Sequence, residues 1–446
     1  MTEPTTPTIP VIPARPDRLV AARLAVRPDR HLIRAGGRSE RFLLIDVTAP
    51  TVERDPSRRR PPVNLAFVLD RSGSMGGHNK LSLAKQAALE AIHRLDDADR
   101  FAVVTYDTDV DVVMPGTLAT AEARQEAARR LGPVQPRSST DLHAGWLTGC
   151  EQVAAGLAED GVNRVLLLTD GLANHGLTDH EQLATRAYDL RRRGVATSTF
   201  GVGTDFDESL LQAMADNGGG HFYFAGDVAA MRDHITSEVG ETLDTVARDV
   251  VLDLRLPVSV HVEALSPFRV EQGPGFARVF LGDMVSGQVL TLALRLTFDY
   301  GDVGREVGAV VRVVDRDGVF ELAAPPAAPV SVAWRYADHA ANDGQPRDVE
   351  VDRVVARLFA ERARQEAVRL NREGRFDDAR QALDGVRRRI HGYAHGDAVL
   401  ASLESELEGQ ETALAAPMPE LARKQLHFAS STVARTRTPE GRSRRS

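Results

Sequence analysis

The chain is 446 residues long, with 55 Lys and Arg against 63 Asp and Glu and a formal net charge of −8. That length predicts several domains. The acidic balance excludes a general nucleic-acid-binding surface, and the single cysteine, Cys150, excludes a disulfide within the chain.

The opening Met1-Thr2-Glu3-Pro4-Thr5-Thr6-Pro7 lacks the basic-then-apolar order of an export signal. No apolar run is long enough to span a bilayer, so a cytoplasmic protein is expected. Residues 1–17 are rich in Pro and Thr and are expected to be disordered. Residues 18–60 read as short strands, with Phe42–Val47 the compact apolar run and Ala35-Gly36-Gly37 a turn. So short a stretch cannot bury its own core and must pair with strands elsewhere. Arg58-Arg59-Arg60-Pro61-Pro62 follows as a stiff, exposed linker.

Residues 61–243 alternate strand and helix. Val63–Leu69 is uniformly apolar, as in a parallel strand covered on both faces. Leu81, Ala84, Ala88, Ala91, Ile92 and Leu95 repeat at helical spacing. Phe101–Tyr106 and Val110–Met114 read as strands joined at Asp107-Thr108-Asp109. Helices are expected over Ala119–Leu131, Asp141–Leu157 and Asp179–Arg193, with strands at Arg164–Thr169, Val195–Val202 and His221–Phe224. Asp207 caps a further helix, and a last one begins near Asp227. This order predicts an α/β fold, a doubly wound and mostly parallel sheet with helices on both faces.

Over residues 244–340 the period becomes two. Leu252, Leu254, Leu256, Val258, Val260 and Val262 alternate, as do Leu290, Leu292, Leu294, Leu296 and Phe298. Phe276–Leu281 and Val307–Val314 add strands. Residues 18–60 are expected to join them, so that the α/β domain is inserted in a β-sandwich. Residues 346–425 return to helical spacing. The break at Asn371-Arg372-Glu373-Gly374-Arg375 resembles one tetratricopeptide hairpin, but a single copy is outweighed by an ordinary helical bundle. Residues 431–446 carry five arginines and one glutamate with no apolar period, and are expected to be a disordered basic tail.

The chemistry concentrates after the first buried strand, in Asp70-Arg71-Ser72-Gly73-Ser74. An acid and two hydroxyls at alternate positions place three oxygens on one turn. Thr140, in Ser138-Ser139-Thr140-Asp141, and Asp170, in Leu168-Thr169-Asp170-Gly171, add two more from later loops. In a doubly wound sheet such loops meet over the crevice at the carboxyl ends of the strands. An all-oxygen set suits a hard cation, Mg²⁺ above all, with Mn²⁺ or Ca²⁺ as alternatives.

These three segments, in this order and over about 180 residues, resemble the metal-ion-dependent adhesion site of a von Willebrand factor type A domain, of the intracellular bacterial type. The resemblance implies that Asp70, Ser72, Ser74, Thr140 and Asp170 hold the ion, Ser72 and Ser74 directly, Asp70 and Asp170 often through water. It implies an open coordination position taken by an Asp or Glu of a protein partner, coupled to movement of the last helix, roughly Ala229–Thr242. It implies a scaffold or adaptor that is not an enzyme, working in some relatives beside a MoxR-like ATPase. The serines at 138 and 139 depart from the glycines frequent there.

Other readings fare worse. A secreted adhesin lacks its export signal. A phosphoaspartate hydrolase needs a second acid where Ser72 stands, and a serine hydrolase needs glycine there. A metal-dependent hydrolase would need Asp107 or Asp109 as its base. Gly201-Val202-Gly203 reads as a tight turn rather than a phosphate cradle. Cys150 and His143 share a helix without forming a site, His391 and His395 read as surface residues, and His78 and His175, on loops expected to rim the ion, read as exposed residues with no role. Asp141 reads as a helix cap.

Overall fold

The computed structural model describes residues 18–53, 60–137, 139–394 and 396–446. The expected disorder of residues 1–17, Arg58 and Arg59 of the linker, Ser138 and His395 lie outside them.

Five short strands open the described chain: β1 (Arg18–Val20), β2 (Arg23–Pro28), β3 (Leu32–Arg34), β4 (Ser39–Thr48) and β5 (Thr51–Glu53). The α/β unit follows. It runs β6 (Val63–Asp70), a 3-10 segment Gly73–Asn79, α1 (Lys80–His93), β7 (Arg100–Tyr106), β8 (Val110–Leu118), α2 (Ala121–Leu131) and α3 (Leu142–Ala154). It continues through β9 (Val162–Thr169), α4 (His180–Arg192), β10 (Ala196–Val202), α5 (Glu208–Gly218), β11 (Gly219–Ala225) and α6 (Val228–Leu243).

Its sheet has the order β11-β10-β9-β6-β7-β8, parallel except for the hairpin partner β8. Every residue of β6 and β9 is buried, on both alternating faces, because helices cover the sheet on each side. Helix α3 sits very close to it. A Cβ at Gly145 would lie 2.4 Å from Tyr106, and one at Gly149 would lie 2.3 Å from Val68. The strand order reverses between β6 and β9, which opens a crevice at their carboxyl ends.

The chain then adds β12 (Thr245–Arg255), β13 (His261–Ala264), β14 (Arg269–Gly273), β15 (Phe276–Val285), β16 (Val289–Phe298), β17 (Glu306–Val314), α7 (Val319–Leu322) and β18 (Val330–Ala337). One sheet has the order β14-β15-β12-β17-β18-β3, the other β13-β16-β4-β2. β4 runs antiparallel along all of β16, from Ser39 opposite Phe298 to Thr48 opposite Val289. The two sheets enclose one apolar cluster, so the α/β unit is inserted in a β-sandwich.

The alternation from Leu252 to Val262 is not one strand. Pro257 ends β12, Val258 is 73% exposed in the turn, and β13 crosses to the other sheet. A proline cannot donate to a ladder, so the chain changes layers there while its apolar period happens to continue.

The last helices are α8 (His339–Gly344), α9 (Val349–Arg372), α10 (Phe376–His391), α11 (Ala398–Leu414) and α12 (Glu420–Ala434). α9, α10 and α11 share a core of Ala356, Ala360, Ala367, Leu383, Leu403 and Leu407. α9 also covers the sandwich through Val351, Val355 and Leu358 against Phe42 and Leu44. α12 packs on β11, where Phe428 meets Phe222 edge-on.

The tail beyond it contradicts the expectation of disorder. Arg437 is buried and bonds Glu241 of α6, Ser443 donates its backbone N–H to the same carboxylate, and Arg445 pairs with Asp244. Arg435, Arg437 and Arg445 pair with acidic groups about 200 positions earlier in the chain, so the segment needs no apolar period to be held.

Candidate metal centre

Each site loop is tied to its neighbours through the backbone. Arg71 N–H donates to Tyr106 at the end of β7, Arg137 N–H to the Arg71 carbonyl, and Asp141 N–H to Asp107. Those bonds bring the segments after β6, β7 and α2 together over one crevice.

There the predicted residues converge. The Ser72 and Ser74 hydroxyls are 3.1 Å apart, and Ser74 donates to Asp170 Oδ1 at 2.6 Å. Thr140 enters from its own loop. A Cβ at Gly171 would stand 3.5 Å from Thr140 Oγ1 and 3.7 Å from Ser74 Oγ, so these hydroxyls flank the same point. Asp70 lies beneath, accepting from Ser72 N–H at 2.7 Å and from the Thr169 hydroxyl at 2.7 Å. Asp70 and Asp170 are fully buried, while Ser74 is exposed at the lip.

The donor set fits a hard divalent cation. It offers carboxylate and hydroxyl oxygens only, from three segments, with one edge open to solvent. Burial pushes the Asp70 carboxyl up to about 6 despite its hydrogen bonds, and the charge of Asp170 adds to the rise. A dense buried acid pair of this kind is what a cation would relieve.

Three contributors escaped the sequence reading. Asn174 accepts from the Ser139 hydroxyl at 2.8 Å and from Thr140 N–H at 3.2 Å, which fastens the Thr140 loop to the one after β9. Thr169 holds Asp70 from below. Lys80, the first residue of α1, places its ammonium 2.6 Å from Asp170 Oδ2. Lys80 carried one visible signal: a cation at a helix N-terminus opposes the macrodipole and needs an acidic partner to stay there.

The remaining candidates fall outside the cluster. Asp141 caps α3 by accepting from Ala144 N–H. Cys150 is buried, and burial pushes its thiol far up, so it is no nucleophile. His143 bonds Arg186, and His391 pairs with Glu404. His78 and His175 are exposed on loops of the rim. Asp107 accepts from Arg71 at 3.0 Å and Arg137 at 2.6 Å. Burial would raise its carboxyl, yet those arginines hold it below the ordinary range, so Asp107 is poorly suited to act as a base.

Comparison with known proteins bears on the fold that carries this site. The family model of the von Willebrand factor type A domain matches residues 64–237. The chain is 30% identical over 297 residues to the uncharacterised protein sll0103 of Synechocystis, covering 64% of this chain and 68% of that one. It is 30% identical over 250 residues to the uncharacterised protein YfbK of Escherichia coli, covering 54% of this chain but only 43% of YfbK. Among solved structures, a von Willebrand factor type A protein from Catenulispora acidiphila aligns with a TM-score of 0.70 at 17% identity, over 94% of this chain and 98% of that one. The chain belongs to the von Willebrand factor type A domain family. Domains of this family typically mediate metal-dependent interactions between proteins.

Proposed function

We propose that the protein is an adaptor that captures a partner's Asp or Glu through a divalent ion, Mg²⁺ by the hardness of its donors, held by Asp70, Ser72, Ser74, Thr140 and Asp170. The observation that carries this reading is the Ser72–Ser74–Asp170 chain of contacts at the exposed edge of a buried acid pair. The bound ion would supply an electrophilic point for an incoming carboxylate. The protein's own part is to fix five oxygens in advance on a strand end and on loops tied to it, which lowers the cost of assembling the site.

The reading is of a binding protein rather than an enzyme, since of the two acids a hydrolase could use as its base Asp107 is tied up by two arginines and Asp109 pairs with Arg137. The sandwich and helical layers serve as scaffold. The family resemblance makes a cytoplasmic setting and a MoxR-like ATPase the first location and partner to test.

Titration calorimetry with MgCl₂ tests the first step. Wild type is expected to bind one ion per chain and Ser72→Ala to lose at least about tenfold in affinity. A wild type that takes up no Mg²⁺, Mn²⁺ or Ca²⁺ would overturn the reading. Pull-down of the ATPase in Mg²⁺ but not in EDTA tests the second.

A further inference from the structure

We infer that Lys80 is a permanent counter-cation of the site that weakens its hold on the metal and, in return, makes the loaded site demand an anion. The inference rests on the metal-binding reading above and deepens it, since it assigns what selects the partner's charge.

The geometry divides Asp170 in two. Oδ1 accepts from Ser74 and so faces the cluster, while Oδ2 accepts from Lys80 at 2.6 Å. The ammonium therefore sits behind the carboxylate and not where an ion would meet the serines. It is also held in place. Its side chain is 14% exposed, and Gly203, at φ +77°, packs against it so closely that a Cβ there would lie 3.2 Å from Nζ. The Gly201-Val202-Gly203 turn thus has a use: it makes room for Lys80. A lysine at the first position of α1 opposes the helix dipole, and the buried Asp170 offsets that cost.

The charges then decide selectivity. Asp70 and Asp170 alone would neutralise a divalent ion and leave a site indifferent to the charge of its last ligand. With Lys80 in place the ion, the ammonium, Asp70 and Asp170 sum to one net positive charge. Asp141, the nearby acid, is engaged at the N-terminus of α3. A carboxylate completes such a site far better than a neutral amide or water. The same positive charge opposes the metal, so metal affinity and anion affinity move in opposite directions when it is removed. Had Lys80 been a stand-in that the metal displaces, its removal would tighten both.

The test compares wild type, Lys80→Met and Lys80→Arg, with Mg²⁺ affinity read by calorimetry. Acetate binding to the Mn²⁺-loaded proteins is read by the fall in water-proton relaxivity. Lys80→Met is expected to bind Mg²⁺ at least about tenfold tighter and acetate at least several-fold weaker, a floor set by charges several Å apart even at the dielectric of water. Lys80→Arg, whose guanidinium stays charged, is expected to shift far less than the neutral variant. Lys80→Gln carries the same test if the methionine variant does not fold by circular dichroism. Equal or weaker Mg²⁺ binding in a folded neutral variant overturns the inference, as does tighter binding of both ions. An arginine variant that shifts as far as the neutral one overturns it as well. A wild type without Mg²⁺ binding fails at the earlier reading instead, so the two failures are distinguishable.

Discussion

Two polar clusters sit at opposite ends of the α/β sheet, built from similar groups and put to opposite uses. At the carboxyl ends of β6 and β9, Asp70 and Asp170 meet Ser72, Ser74 and Thr140, and one ammonium, Lys80, answers two carboxylates. Near the amino ends of β9, β10 and β11, Glu238 and Glu241 of α6 meet Arg164, Arg437, His221, Tyr223 and Ser198.

His221, Glu238 and Glu241 are close enough to share a metal, but here the protein has already supplied the cations. Arg164 and Arg437 match the two glutamates in charge. Because an arginine only donates, its 2.7 Å bond to His221 Nε2 makes that nitrogen the acceptor and leaves Nδ1–H for Glu238 at 3.0 Å. Burial opposes charge on Glu238, yet His221 and Arg164 hold its carboxyl well below the usual range. A carboxylate cluster becomes a binding site when it is left short of positive charge and open at one edge. The other, closed by its own arginines, fastens the C-terminal segment to α6.

The largest effect is expected where the closed cluster is broken. Arg437→Ala strands Glu241 in the interior and should cost about 3–5 kcal/mol, read as a lower urea midpoint. Next comes acid sensitivity at the α12 contact. His427 is buried against Phe222, and burial brings it down to about 4. A histidine depressed in the folded state takes up protons more readily when unfolded. Stability is therefore complete above about pH 6.5 and falls as the pH drops towards 4, by about 2 kcal/mol at pH 5. His427→Gln should remove that part of the slope in urea titrations at pH 7.5 and 5. Smaller still is the support of the open cluster. Asn174→Ala frees the Thr140 loop and should weaken Mg²⁺ about tenfold by calorimetry. The smallest stability change belongs to Asp70→Asn, within about 1 kcal/mol, because it removes a buried charge while keeping an oxygen for Ser72 N–H. The same variant should lose the rise in melting temperature that Mg²⁺ gives wild type.

The difference between the clusters also explains what could be read in advance. The five site oxygens stand beside wholly apolar strands, and a turn after a buried parallel strand has few places to go. Lys80 was harder, since its partner Asp170 is 90 positions away and its room is made by a glycine turn that looked only structural. The tail was misread because an arginine run without period resembles a solvated one, and nothing near it names Glu241 or Asp244 as partners. Val258 shows the reverse error, a period that survives a proline turn while the chain changes sheets.

Anomalous diffraction from crystals soaked in Mn²⁺ tests the contrast most directly. One strong peak among Ser72, Ser74, Thr140 and Asp170, and none at His221, Glu238 and Glu241, is the expected result. A peak at the arginine-closed cluster, or a bare crevice beside Asp170, would contradict it.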